Sequence, residues 1–323
     1  MGFEGMILSI ALSFLLSFAL GLAWAPALIS VLRSYNMGKQ IRLEGPQSHM
    51  VKAGTPTMGG WLMIVTSLVV GVVLVRNLAV MAPIALALLA FGLFGALDDY
   101  VNMRSRTGLG LRVRIKFLWH TAIALGISLV LYPVLGYDTV IVPGFGSLNI
   151  GWWMVPLSTL AIFAMTSGVN EIDGLDGLAG GTTGVAFIAY ALLSLGVGMG
   201  GLATAAAIVA GTIGAFLWFN VHPARFFMGD TGSLALGASL AVVAIMSGWV
   251  LLLPVIGFVF VIELLSVVVQ VFYFKATKGK RILKMSPLHH HLELSGWPEV
   301  QIVQRFWLIA VVTAALALSL AAF

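Results

Sequence analysis

Long apolar segments alternate with short polar ones along the whole chain, and this pattern predicts a protein built from membrane-spanning helices. A helix needs at least about 17 predominantly apolar residues to cross the hydrocarbon of a bilayer. Ten segments meet that requirement, with approximate bounds 6–32, 58–75, 78–97, 115–135, 153–170, 178–197, 201–219, 232–248, 250–274 and 302–322. The sequence therefore predicts an all-α polytopic membrane protein that forms a single domain over residues 1–323.

The composition supports this prediction. Hydrophobic residues make up 60% of the 323 residues and charged residues only 9%, whereas a soluble domain has about 25% charged residues. The chain has no cysteine, which excludes disulfides, thiolate nucleophiles and cysteine-ligated metals. A secretory signal peptide begins with positive charge, but the first 32 residues carry only Glu4. We therefore expect the first apolar segment to be retained as a span.

Basic residues concentrate in alternate connections, namely 33–57, 98–114, 171–177, 220–231 and 275–301. With the residues at the span ends included, this side holds 16 of the 17 Lys and Arg residues, and Arg76 is the exception. The positive-inside rule makes this side cytoplasmic and leaves both termini outside. Topology and attraction to anionic lipid explain the positive charge, so no nucleic-acid partner is expected. On the opposite side, residues 136–152 are rich in Gly, Pro and β-branched residues, which predicts a short hairpin.

Two clusters of carboxylates fall on the predicted cytoplasmic side. Asp98 and Asp99 follow the third apolar segment, where carboxylates are costly unless they bind a cation or face water. A solvated end of the span is the alternative explanation. Asp173 and Asp176 lie in the segment 170–178, and on a helical turn they would share a face. The glycines of this segment permit the close approach of a phosphate or of another helix.

Three further segments on this side carry polar chemistry. Residues 220–233 combine an amide, aromatic side chains and the carboxylate of Asp230. An aromatic side chain here either stacks on a base or anchors the chain at the membrane interface. Helix capping is the alternative role for Asp230. His289, His290 and His291 lie in a predicted loop and do not share a helix face, which disfavours a His-x-x-x-His zinc site. Imidazoles bind phosphate oxygens or transfer protons, although a structural role remains open. Residues 38–60 add cations and hydroxyls.

Together these clusters predict a site for a nucleotide diphosphate beside the lipid. Carboxylates suit Mg²⁺, which prefers oxygen ligands and works together with substrate phosphates. The chemistry indicated is phosphoryl transfer, in which positioning and charge neutralisation provide most of the catalysis. The expected site is a cytoplasmic cleft at the inner ends of the third, fifth and eighth spans, covered by residues 275–301.

Five motifs resemble those of the phospho-N-acetylmuramoyl-pentapeptide transferases, and they occur in the family's order over nearly the whole chain. They are Gly-Pro-x-Ser-His-x-x-Lys-x-Gly-Thr-Pro-Thr-Met-Gly-Gly at 45–60, Asp-Asp-Tyr at 98–100, Asn-x-x-Asp-Gly-Leu-Asp-Gly-Leu at 170–178, Phe-Met-Gly-Asp-Thr-Gly-Ser at 227–233 and Pro-Leu-His-His-His at 287–291. The resemblance implies ten helices, a cytoplasmic cleft and a homodimer in the bacterial inner membrane. It also implies Mg²⁺-dependent transfer of phospho-MurNAc-pentapeptide from UDP-MurNAc-pentapeptide to undecaprenyl phosphate, which gives lipid I and UMP.

The resemblance also implies roles for individual residues. The expected catalytic residues are Asp98, Asp99, Lys116, Asp173, Asp176 and His289, and the expected metal ligands are Asp230 and Asp173. The expected substrate contacts are Lys52, Thr57, Asn170, Asn220, Phe227, His290 and His291, with the ring of Phe227 stacked on uracil. Asp98 is favoured as the proton acceptor in a single-step transfer, and Asp99 is expected to face the metal or Lys116.

Three positions depart from the family pattern. Asn102 replaces a frequent Lys, His120 replaces a common Gln, and Glu171 adds a carboxylate where an apolar residue is usual. Two other functions are alternatives. A related transferase that moves a GlcNAc-1-phosphate-type group to a polyprenyl phosphate is the nearer alternative, but the intact 45–60 and 287–291 segments disfavour it. A cation-coupled transporter is remote, because transporters place ionisable residues near the middle of the membrane, where only Glu263 lies here.

Overall fold

The computed structural model describes residues 3–35, 37–38, 52, 54–75, 77–105 and 110–322. Most of the basic segment 38–60 therefore lies outside the described residues. The helices are α1 (Phe3–Ser34), α2 (Gly60–Leu74), α3 (Leu78–Arg104), α4 (Val113–Leu129), α5 (Met154–Ile172), α6 (Leu178–Gly196), α7 (Gly200–Asn220), α8 (Gly229–Met246), α9 (Leu253–Ile256), α10 (Phe258–Ala276), α11 (Leu288–Glu293) and α12 (Glu299–Ala321). Two short strands, β1 (Thr139–Val142) and β2 (Gly146–Asn149), complete the fold.

The all-α membrane architecture predicted from the sequence is confirmed. Within the described ranges, nine helices are long and apolar enough to cross a membrane. The remaining predicted span corresponds to α2, which is apolar but only 15 residues long. A single turn of π-helix, Val130–Val134, extends α4, and a 3₁₀ turn, Gly151–Trp153, precedes α5.

Helix α8 forms the centre of the bundle, and nearly all of its residues are buried. Helix α3 packs along one side of it and α5 along another, while α7 packs against α1 and α6. The outer helices expose apolar side chains, among them Leu15, Phe117, Phe272 and Leu308. In water such a surface would be unfavourable, whereas in a bilayer it contacts lipid chains, so it fits a multi-pass membrane protein.

The hairpin predicted between the fourth and fifth spans is confirmed. Strands β1 and β2 pair antiparallel, with Thr139 opposite Asn149 and Val142 opposite Gly146. The hairpin is attached to the end of α8, because the backbone N–H of Ile141 donates to the carbonyl of Gly248 at 2.8 Å.

Four local predictions are wrong. Helix α3 continues to Arg104, about two turns beyond its predicted end, so Asp98 and Asp99 lie inside a helix and are buried. The predicted span 250–274 is interrupted, because Gly257 leaves the helical conformation between α9 and α10. Residues 173–177 form an irregular turn between α5 and α6 and do not form a helical turn. The histidine triplet lies within a short helix, α11, and does not lie in a loop.

Candidate active site

The N-terminus of α8 carries the motif at 227–233, and Gly229, Asp230 and Ser233 contact the neighbouring helices. Gly229 has a φ of +69°, and a Cβ there would overlap the carboxylate of Asp99. Asp230 and Ser233 face Asn170 of α5, whose amide donates to both side chains at 2.9 Å. The motif is therefore explained by backbone geometry and by contacts to α3 and α5.

Glycine also brings α3 against this helix start. A Cβ on Gly95 would overlap the backbone carbonyl of Asp230. Because Gly95 has none, α3 approaches α8 closely enough for the side chains of Asp98 and Asp99, one turn further along, to reach its N-terminus. The apolar span and the polar site are thus joined by one close contact between helices.

Asp99 caps α8. One of its carboxylate oxygens accepts from the backbone N–H of Asp230 at 3.0 Å, and the other accepts from the backbone N–H and the hydroxyl of Thr231 at 2.9 and 2.6 Å. These backbone donors have no partner within their own helix, and a negative charge is favourable at a helix N-terminus. In this structure the carboxylate of Asp99 therefore faces the start of α8, where both of its oxygens serve as a cap.

Lys116 bridges Asp98 and Asp230. Its ammonium lies 2.5 Å from a carboxylate oxygen of Asp98 and 3.0 Å from one of Asp230. Asp98 also accepts the backbone N–H of Leu111 at 2.6 Å. The Asp98 side chain is 3% exposed, whereas those of Lys116 and Asp230 are 31% and 23% exposed. Asp98, Lys116, Asn170 and Asp230 form what we call the carboxylate–lysine cluster, and Lys116 and Asp230 are its most accessible charged members.

A second network surrounds Asp176. Lys52 donates to Asp176 at 2.8 Å and to Glu299, the first residue of α12, at 2.5 Å. The other oxygen of Asp176 lies 3.1 Å from Nδ1 of His222. Asp176, His222 and Glu299 place possible ligand atoms within 4.8 Å of one another, so this group could hold a metal ion. Neither predicted metal ligand, Asp230 or Asp173, belongs to it.

Asn220 supports the turn between α5 and α6. Its side-chain oxygen accepts the backbone N–H of Gly177 at 3.0 Å, and its amide donates to the carbonyl of Phe226 at 2.9 Å. Asn220 is buried, so these contacts hold two loops together. Phe227 is partly buried, and its backbone pairs with Pro56 and Gly59.

The histidines separate into different environments. His289 is fully buried against Glu263 of α10. His290 is half-buried and lies 2.8 Å from the carboxylate of Glu293, while Nδ1 of His291 accepts the backbone N–H of Lys284 at 3.1 Å. Thr57 is buried beside the start of α8, and a Cβ on Gly229 would also overlap its hydroxyl. Asp173 caps the end of α5.

Most of the residues predicted from the sequence thus lie at the turn 173–177 or the start of α8, whereas His291 contacts Lys284 and Ser295. Glu171 lies in the last turn of α5, directly before the turn 173–177. Sequence reasoning did not select Thr231, His222 or Glu299 as site residues. Thr231 and His222 lie inside motifs that were recognised, but Glu299 resembles an ordinary acidic residue in the first turn of a helix, so no local signal could have identified it.

Comparison with known proteins agrees with the motifs. The family described as glycosyl transferase family 4 matches residues 81–248. Among curated proteins, phospho-N-acetylmuramoyl-pentapeptide-transferase of Heliobacterium modesticaldum is 45% identical over 96% of this chain and 97% of its own length. The proteins of the same name from Chloroflexus aurantiacus strain J-10-fl and Halalkalibacterium halodurans are 43% and 42% identical, over 98% and 96% of this chain and 89% and 96% of their own lengths. By its motifs and by identity over nearly its full length, this chain belongs to the phospho-N-acetylmuramoyl-pentapeptide transferase family.

Proposed function

We propose that this chain transfers phospho-MurNAc-pentapeptide from UDP-MurNAc-pentapeptide to undecaprenyl phosphate, in the bacterial inner membrane. The products are lipid I and UMP. Family membership supports the substrates, since the relatives carry this activity in their name. The bridge that Lys116 forms between Asp98 and Asp230 is the structural observation that supports the chemistry.

The reaction joins two anions, so repulsion between phosphates is its main electrostatic obstacle. A phosphate oxygen of the lipid attacks the phosphorus that carries the sugar, and the bond from that phosphorus to the oxygen of UMP breaks. The electron pair leaves with UMP. Lys116 is partly exposed and lies beside Asp230, where the phosphates of both reactants are expected to meet. Its ammonium therefore lowers this repulsion.

The carboxylate–lysine cluster fits Mg²⁺ by the chemistry of its donors. Oxygens of Asp98 and Asp230 already converge on one cation, Lys116, and carboxylate oxygens are the ligands that Mg²⁺ prefers. Asp230 is the more exposed of the two carboxylates and is our proposed main ligand, with Asp173 at the neighbouring turn as the second. When bound, Mg²⁺ neutralises charge on the pyrophosphate. The group around His222 is less suited, because it includes an imidazole and Lys52 already occupies it.

Asp98 has contacts that favour holding Lys116 over accepting a proton. Its two oxygens receive the ammonium of Lys116 and the backbone N–H of Leu111. A phosphate monoester loses its second proton near pH 6, so the lipid phosphate reaches the site largely as a dianion at neutral pH. We therefore propose direct transfer in which Asp98 positions Lys116.

The second network and the loops next to it are the proposed binding region for the remaining parts of the substrate. Lys52 supplies the cation, Phe227 supplies a ring for the uracil, and His290 and His291 supply imidazoles at the edge. Asn170 and Thr57 complete the proposed contacts beside Asp230. Asp176 and Asn220 are proposed to act by holding the turn 173–177 in place.

A homodimer remains part of the proposal, as the family resemblance implies. The mass of the detergent-solubilised protein measures it, and a monomeric mass at the working concentration would contradict it.

The related GlcNAc-1-phosphate-type transferase is the second candidate, because the family match at 81–248 fits both activities. Incubation with equal amounts of UDP-MurNAc-pentapeptide and UDP-GlcNAc separates the two, and exclusive incorporation of GlcNAc into the lipid product would overturn the proposed function.

A further inference from the structure

Glu263 is a carboxylate within a spanning helix, and the proposed reaction does not use it. It lies in the first half of α10 and is completely buried. Ionisable groups inside a membrane are costly to keep, and they usually pair with another group and serve a function. Its partner in this structure is His289.

The two side chains are joined by several hydrogen bonds. The backbone N–H of His289 donates to one oxygen of Glu263 at 3.1 Å, and the ring atom Nδ1 lies 3.2 Å from the other. When Glu263 is ionised, its carboxylate only accepts, and Nδ1 carries the hydrogen of this bond. A carboxylate paired with one ring nitrogen sets the tautomer and the orientation of an imidazole. In the neutral ring, the lone pair is therefore on Nε2.

Nε2 points at the turn that carries the predicted catalytic carboxylates. The atom is buried and has no hydrogen-bond partner in the described part of the chain. A Cβ on Gly174 would overlap it, so Nε2 lies directly against the backbone between Asp173 and Asp176. A buried polar atom without a partner is rare and requires an explanation such as a catalytic role or a bound water.

Attachment of the segment 281–293 does not by itself require a carboxylate. Gln270, two turns further along α10, already binds this segment, because its side-chain oxygen accepts the backbone N–H groups of Ile282 and Leu283 at 3.0 and 3.1 Å. Moreover, burial of an ionisable pair usually stabilises a fold no better than apolar residues of the same size. The choice of Glu and His at these two positions therefore points to chemistry.

We propose that Glu263 is a positioning residue of the active site, whose carboxylate keeps Nδ1 of His289 protonated and presents Nε2 as a hydrogen-bond acceptor at the turn 173–177. The role rests on the proposed transferase function. It acts through His289, whose ring also packs against that of His290 with centroids 4.2 Å apart. The pair thus connects a spanning helix, the histidine motif and the carboxylate turn.

Glu263→Gln tests this directly. Glutamine keeps an oxygen for the backbone N–H of His289 but offers an amide hydrogen to Nδ1, which favours the opposite tautomer. We expect kcat to fall about 10- to 100-fold while the KM for UDP-MurNAc-pentapeptide changes little, and Glu263→Asp to recover part of kcat. The ¹⁵N shifts of the His289 ring in the full-length protein should show hydrogen on Nδ1 in the wild type and on Nε2 in the variant. Gln270→Leu is the control, and it should leave the tautomer of His289 unchanged.

Several results would overturn the proposal. They are hydrogen on Nε2 in the wild type, an unchanged kcat in folded Glu263→Gln, and a lower kcat without a change of tautomer. The double variant Glu263→Leu/His289→Leu covers the case in which Glu263→Gln fails to fold, since it removes the charge and its partner together. If that double variant is folded and active, the pair is only structural. Absence of UMP release from the wild type would instead overturn the proposed function, and the tautomer measurement would still test the pair.

Discussion

Asp99 accepts two hydrogen bonds from Thr231 on a single carboxylate oxygen, one from the backbone N–H at 2.9 Å and one from the hydroxyl at 2.6 Å. The residues belong to different helices and are 132 positions apart in the chain. The contact gives α8 the cap that its own sequence does not supply, since Met228 at the N-cap position makes no side-chain bond. It thereby determines where Asp230 lies relative to α3.

Removing the Thr231 hydroxyl should measurably destabilise this junction. Thr231→Val keeps the shape but deletes one hydrogen bond to a charged acceptor, and we expect a loss of about 1–3 kcal/mol of stability. Thr231→Ser keeps the hydroxyl and serves as the matched control. Thermal unfolding of the solubilised protein measures both variants, and equal midpoints for Thr231→Val and the wild type would contradict the cap.

The sequence predicted the membrane class and the site motifs but not how the polar residues pair. Hydropathy identifies spans because lipid demands apolar surface over a fixed length. The pairing of Asp99 with Thr231, or of Asp176 with Glu299, joins segments more than 120 residues apart. Such contacts depend on how helices pack, and the glycine at position 95 that permits one of them looks like any other small residue in a span.

The break at Gly257 could not be predicted for a related reason. Residues 250–274 are mostly apolar, so hydropathy indicates one continuous helix. The chain instead forms the short helix α9 and then α10. The break precedes Glu263, so it sets the direction of α10, the helix whose Glu263 contacts His289.

Asp230→Asn should retain the fold and lose activity. Its side chain is partly exposed, and an amide still offers one oxygen to Asn170. The loss of its charge removes the proposed Mg²⁺ ligand, which is worth several kcal/mol of charge stabilisation, so we expect at least about a 100-fold decrease in turnover. Turnover is measured as UMP release over a range of Mg²⁺ concentrations, and near-normal Mg²⁺-dependent turnover of folded Asp230→Asn would exclude this role.

Asp98→Asn distinguishes a positioning role from that of a base. If Asp98 only holds Lys116, as its contacts indicate, activity should be reduced to a similar extent at every pH from 6 to 10. If Asp98 instead removes a proton from the lipid phosphate, activity should recover as pH rises, because the phosphate then ionises unaided near pH 6 and above. The ratio of variant to wild-type turnover across this range decides between the two, and recovery with rising pH would contradict the positioning role.

The predicted orientation places residues 275–301 in the cytoplasm. The chain contains no cysteine, so single cysteines can be introduced without background labelling. Ser295 is exposed between α11 and α12, and Ser147 is exposed in the hairpin on the predicted outer side. A membrane-impermeant thiol reagent added to intact cells should label Ser147→Cys and not Ser295→Cys. The reverse pattern would contradict both the topology and a cytoplasmic site.

The central claim is that the chain transfers a phospho-sugar to a lipid phosphate. Purified protein given UDP-MurNAc-pentapeptide, undecaprenyl phosphate and Mg²⁺ provides the most direct test, with UMP and the lipid product quantified together. We predict one UMP for each lipid-linked MurNAc-pentapeptide, and neither product when the lipid or Mg²⁺ is omitted. UMP released at the same rate without undecaprenyl phosphate, or no lipid product from an intact and folded protein, would contradict the account.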